Sequence, residues 1–190
     1  SDLMNAITTI ELERRWAVVR SEMVERDIDV LLMQNSNSFH GGYVKWFTDL
    51  PAVNGGYSAV MFFKDAPMVV VRHGPPNAAE VPTNHPIDRG VGKIYTEPTF
   101  AAADFTKDYA ANAVLEELRH RAPNAIGLVG TGSMAYPFLN KIKNSLQEGA
   151  SFIDATDWID NIKAIKSAEE IEFIKRAATM QDQSIGEILN

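Results

Sequence analysis

From Thr8 onward, apolar residues fall at Leu12, Trp16, Val19 and Met23, spaced by four, three and four positions, which is one face of a helix. Thr8 and Glu11 stand ahead of that face with the spacing of a capping box, so the pattern predicts a helix running to about residue 26. The period then changes. Residues 28–33 form a short apolar run rich in branched side chains that ends in Gln34-Asn35-Ser36-Asn37-Ser38, which reads as a buried strand entering a loop. Two more apolar runs, residues 57–63 and 68–71, flank Lys64-Asp65-Ala66-Pro67, and four polar or turn-forming residues between strand-like runs predict a hairpin. Pro75, Pro76 and Pro82 predict a loop with at most one helical turn after it, followed by a strand at residues 91–95.

From Asp104 helix and strand alternate: a helix through Ala110, Val114 and Leu118, a strand at 125–129, a helix through Phe138, Ile142 and Leu146, and a strand at 151–153. Alternation with short turns implies some parallel pairing with helices covering the sheet, so the expected fold class is α/β, one mixed sheet between helical layers. Ser167 and Glu170 form a second capping box, opening a helix with Ile171, Ile174, Ala178, Ile185 and Ile188 on one side. No Gly or Pro stop follows that helix, and the expectation is that the natural polypeptide continues beyond it.

At 190 residues the chain suits one domain with a sizeable core. Its 18 Lys and Arg are scattered among 25 Asp and Glu, for a net charge of −7. Without a basic patch, neither a nucleic acid nor an anionic membrane is expected as a partner. The absence of cysteine excludes disulfides, zinc-thiolate sites and thiol nucleophiles. The first residues have no basic start or apolar run of signal-sequence type, so a cytoplasmic location is expected.

His40, His73, His85 and His120 are isolated from one another along the chain, and no metal site or catalytic residue is expected in this domain. Gly-x-Ser-x-Gly is absent. Gly130-x-Gly132-x-x-Ala135 lies between a strand and a helix, with Asp154 ending the next strand. That arrangement supports an alternative function, dinucleotide binding, in which the glycines admit a pyrophosphate and Asp154 holds a ribose hydroxyl. Residues 39–49 mix polar, aromatic and glycine residues without clean periodicity, the make-up of a ligand-lining loop. Substrate-facing candidates are therefore His40, Tyr43, Trp46 and Asp49, with His73 before Gly74-Pro75-Pro76. A structural reading stays open beside it: Trp46 and Phe47 as core, the histidines as turn caps.

Several of these segments together resemble one family. Glu13-Arg14-Arg15 and Met23-Val24-Glu25-Arg26 followed by Ile28-Asp29-Val30-Leu31-Leu32 look like the opening of the creatinase/prolidase/aminopeptidase P family, whose catalytic part has the "pita-bread" fold. Ile162-Lys163-Ala164-Ile165-Lys166-Ser167-Ala168-Glu169-Glu170-Ile171 resembles the segment joining the family's N-terminal and catalytic domains. In place of a Leu-Thr-Gly-Phe-like motif after the first loop stands Tyr43-Val44-Lys45-Trp46-Phe47. The resemblance implies a ribonuclease H-like N-terminal domain over residues 1–165 and a linker helix over 166–190 leading to a C-terminal catalytic domain. It further implies two divalent metal ions in that other domain, none here, a homodimer, and a part in selecting dipeptide or small amidino substrates rather than cleaving them.

Overall fold

The computed structural model describes residues 6–36, 42–50 and 56–189. The first apolar face becomes helix α1 (Thr9–Glu25), which buries Leu12, Trp16, Val19 and Met23. Thr8 is its N-cap, accepting from the Glu11 amide at 3.2 Å. Strand β1 (Val30–Asn35) follows and is buried along its whole length, so the strand extends through Gln34 and Asn35 rather than yielding to a loop there.

Residues 42–48 form helix α2 (Gly42–Thr48), where the sequence suggested an irregular loop. Four of its seven residues, Val44, Trp46, Phe47 and Thr48, are buried, which hides the helical period in so short an element. An acceptor from outside supports it: the Asn35 side-chain oxygen takes the Val44 amide at 3.0 Å. The helix closes at Asp49, whose φ of 56° is left-handed.

The expected hairpin forms as β2 (Ser58–Phe63) and β3 (Met68–His73), antiparallel with Val60 opposite Val70. Strand β4 (Asn77–Glu80) replaces the loop expected among the prolines. It is an exposed edge strand, the one place in a sheet where flanking prolines cost little. Then come β5 (Val91–Glu97), α3 (Lys107–Arg121), β6 (Ala125–Val129), α4 (Tyr136–Leu146), β7 (Ser151–Asp154), α5 (Thr156–Ala164) and α6 (Ala168–Leu189). The sequence reading passed over α5, whose buried residues are Trp158 and Ile159.

The seven strands order as β4-β5-β3-β2-β1-β6-β7. β1, β6 and β7 are parallel, β3 and β5 are parallel, and β2 and β4 run against their neighbours, so five strands point one way. Strand alternation divides the core. Leu31, Met33, Val60, Phe62 and Val70 meet α1, α2 and α5 on one face, while Val30, Leu32, Met61, Val69 and Leu128 meet α3 and α4 on the other. The fold is thus the expected mixed sheet between helical layers. Of α6, residues 171–188 stand exposed apart from Gly186. Among the described residues no helix is long and apolar enough to cross a membrane.

Glu11, 4% exposed, accepts from Arg14 at 2.9 and 2.7 Å, and that guanidinium, against the opposing effect of burial, draws the carboxyl down to about 2. A folded-state value below the unfolded one stabilises the fold above the ordinary glutamate range, and the gain is lost as pH falls toward about 2. We expect a loss on the order of 3 kcal/mol across that window, less to the extent that solvent screens Arg14. Urea unfolding at a series of acid pH values measures it, and Glu11→Gln should flatten that part of the slope.

Candidate functional site at the carboxyl edge of the sheet

Five strands point their carboxyl ends to one edge, ending at Glu97, His73, Asn35, Val129 and Asp154. After β1 the chain turns to α2 on one face, and after β6 it turns to α4 on the other. A parallel pair whose connections leave in opposite directions opens a crevice, the usual place for a ligand in such sheets.

The chain's own side chains occupy this crevice. Asn35 donates from Nδ2 to the Ser133 hydroxyl at 2.9 Å, and Gln34 Oε1 accepts the Ala135 amide at 2.9 Å. Ser133 Oγ lies 2.8 Å from the Gly130 carbonyl and 3.1 Å from that of Gln34, either of which accepts its proton. Gly130 takes a φ of 66° and donates its amide to Thr156 Oγ1 at 2.9 Å. Asp154 Oδ1 accepts the Thr156 amide at 2.9 Å, which holds its carboxyl below the usual range.

Tyr43 closes the crevice from α2. Its hydroxyl donates to Asp160 Oδ1 at 2.8 Å, and Lys163 Nζ sits 4.3 Å from its ring centre. Burial first, then the Asp160 carboxylate, push the phenol up to about 12, so it is a neutral donor at physiological pH. Burial lowers Lys163 below the ordinary lysine value.

The dinucleotide reading meets this geometry poorly. A pyrophosphate would need the Gly130 and Ala135 amides, both already bonded within the chain, and Pro137 in the first turn of α4 has no amide to give. A Cβ on Gly130 would lie 2.4 Å from the Tyr43 ring. The glycine therefore serves a left-handed turn and a close aromatic contact. Gly130→Ala should cost about 1–3 kcal/mol, the price of a non-glycine residue at that φ plus a displaced ring. Denaturant melts check the cost, and a titration with a dinucleotide should show no binding to the parent chain.

The four substrate-facing candidates among the described residues do not converge. Tyr43 is at the edge. Trp46 is 8% exposed and lies in the core, with the Arg15 guanidinium 5.0 Å from its ring centre. Asp49 is a tie: it accepts the Ile7 amide at 3.0 Å and pairs with Arg89 at 2.8 Å. His73 is at the edge, its Nδ1 3.1 Å from the Thr99 carbonyl, which can only accept, so Nδ1 carries a proton. Three strand spacings, ~14 Å, separate the ends of β3 and β6, so His73 and Tyr43 do not form one pocket. His40 lies outside the described residues.

The sequence reading missed an aromatic rim on the α3 and α4 side of this edge. Phe100, Phe105, Tyr109 and Tyr136 are 48, 70, 38 and 77% exposed, at or just before the starts of those two helices. Phe100 meets His73 edge-on at 4.7 Å, and Phe105 meets Tyr109 at 6.3 Å. The available signal was two phenylalanines in the short segment between β5 and α3, where packing does not call for them. Among the described residues no group of three His, Asp or Glu is placed to hold a metal ion.

No family model matches the sequence, and no curated protein matches it. Among solved structures, X-Pro aminopeptidase from Thermotoga maritima is 12% identical with a TM-score of 0.57, over 83% of this chain and 38% of that one. The chain has the fold of the creatinase/prolidase N-terminal domain. The N-terminal domain of the FACT complex subunit SPT16 from chickpea shares it, 16% identical with a TM-score of 0.52, over 94% of this chain and 43% of that one. The N-terminal domain of the peptidase PepQ from Mycobacterium tuberculosis is 11% identical with a TM-score of 0.49, over 78% of this chain and 98% of that one. The chain thus spans well under half the length of the aminopeptidase. At these identities the likeness is one of fold.

Proposed function

We propose that this chain is the non-catalytic N-terminal domain of a metallopeptidase-like hydrolase, of Xaa-Pro dipeptidase, aminopeptidase or creatinase type, in which it contributes to homodimer contact and substrate selection. The observation that carries this reading is the fold shared with an X-Pro aminopeptidase more than twice as long. The exposed aromatic rim beside His73 supports it, because aromatic side chains in loops at a strand-end edge supply contact area to a peptide or a second protein at low entropic cost. On this reading the two divalent metal ions and the chemistry belong to another domain of a cytoplasmic enzyme, and this chain's role is contact.

The test is an assay of the 190-residue chain and of the full gene product, with and without divalent metal, against proline dipeptides and creatine. The expected result is metal-dependent hydrolysis by the full product, which elutes as a dimer, and none by the 190-residue chain. Hydrolysis by the short chain sinks the reading. A second reading, a pure interaction domain, is favoured by the likeness to a subunit of a complex, which covers more of this chain than the aminopeptidase does. A full product inert toward both substrate classes would select it.

A further inference from the structure

We infer that the first turn of α6 is a rigid joint, in which a carboxylate of α6 caps α1, the two helices share a pair of arginines, and these polar contacts fix the direction in which α6 leaves the body. Each helix opens with half a capping box. Thr8 accepts the Glu11 amide at 3.2 Å, and Ser167 accepts the Glu170 amide at 3.1 Å. In a closed box the glutamate would reach back to the amide of its own cap residue. Here neither glutamate does so.

Both glutamates turn instead to the same two arginines. Glu11 meets Arg14 at 2.7 Å and Arg15 at 3.3 Å, and Glu170 meets them at 3.4 and 3.6 Å. The missing half of the α1 box comes from α6: Glu169 accepts the Thr8 amide at 2.9 Å and the Thr8 hydroxyl at 2.6 Å. Part of the α1 cap is therefore supplied across 161 residues of sequence.

Burial says why this sets a direction. Glu11, Arg15 and Glu170 are 4, 5 and 8% exposed, whereas residues 171–188 of α6 are exposed apart from Gly186. Buried ionic groups hold their geometry because every departure leaves a charge unpaired away from water. The joint also abuts a second knot, where Asp49 and Arg89 hold the Ile7 backbone from both sides, with Arg89 donating to the Ile7 carbonyl at 2.7 Å. Helix α2, which carries Tyr43 to the sheet edge, is thus tied to the root of α6 through residues 7 and 8. The inference is independent of the proposed function, since it holds whatever packs on α6.

The chain has no cysteine, so two introduced ones take nitroxide labels without interference. Asn112→Cys on the exposed side of α3 and Glu187→Cys on α6 report the distance between body and helix. Pulsed electron paramagnetic resonance should give one narrow distance distribution in this background. Adding Glu169→Gln and Glu170→Gln should broaden it at least about twofold, while Glu172→Gln, an exposed residue 3.9 Å from Arg176 only, should leave it narrow. Glu169→Gln with Thr8→Val makes the same test at the half-exposed side of the joint should the first pair unfold the body, which circular dichroism would show. A broad distribution in the unsubstituted background, or an unchanged width in the variants, overturns the inference.

Discussion

Arg15→Leu is expected to lower the unfolding free energy by on the order of 3–5 kcal/mol, through the buried carboxylates it leaves with one cation fewer rather than through the packing it loses. Arg15 is 5% exposed, faces Glu11 and Glu170, and donates to the Trp46 carbonyl at 2.9 Å. Leucine fills much the same volume but leaves Glu11 to Arg14, which is 41% exposed, and Glu170 to Arg14 and Lys166, both further than 3 Å. Removing the whole cluster should therefore cost less than removing its cation. Arg15→Leu combined with Glu11→Leu and Glu170→Leu is expected to recover part of the loss, as apolar replacement of a buried ionic cluster commonly does. Urea unfolding of the single and triple variants decides it; equal losses in both would show that packing of the arginine stem, and not stranded charge, is the cause.

What the sequence disclosed divides along a physical line. Helices that bury one face and repeat their period at least twice, α1, α3 and α4, were legible because a single solvent boundary runs along them, and the β2–β3 hairpin, buried on both faces, was legible as two continuous apolar runs around a polar turn. Helix α2 was not, since it buries residues on most sides within two turns, and its Val44 amide is satisfied from Asn35, nine residues away. Strand β4 was hidden for the opposite reason: all four of its residues are exposed, so no alternation marks it. The creatinase-type fold was visible from the opening segment and the Lys166-Ser167-Ala168-Glu169-Glu170 stretch. Glu169 within that stretch proved to complete the cap of α1, a relation that spacing within one segment does not encode.

The candidate site was less legible than the fold, because polar and aromatic residues in an irregular stretch have the same composition whether they face a ligand or one another. Tyr43 is bound to Asp160 and Asn35 to Ser133 at the crevice, and Asp49 to Arg89 beside Ile7, so three residue types that suggest recognition are used to hold the chain to itself. Long-range pairing of this kind separates partners by 40 to 117 residues, beyond any local pattern. The exposed aromatic rim escaped notice because its members come from the segment before α3 and from the first turns of α3 and α4, which no local period links.

Phe47→Ala distinguishes the two readings of the aromatic segment. Were residues 43–47 a ligand-lining loop, truncating Phe47 would spare stability and alter binding. In the structure Phe47 is fully buried, 4.9 Å from the Phe62 ring and 5.0 Å from that of Trp46, and its carbonyl accepts the Trp16 indole proton at 2.8 Å. Its ring thus joins α2 to the centre of the sheet while its backbone joins α2 to α1. Truncation removes the ring's transfer free energy and opens a cavity between elements that cannot all collapse onto it, for an expected loss of about 3–5 kcal/mol. Trp16 and Trp46 both border the gap, so their fluorescence should shift to the red in the folded variant as well as at unfolding. The denaturant slope should stay at its parent value, since the surface exposed on unfolding hardly changes. A loss below about 1 kcal/mol would place α2 outside the cooperative core and restore the ligand-lining role of Tyr43 and Trp46.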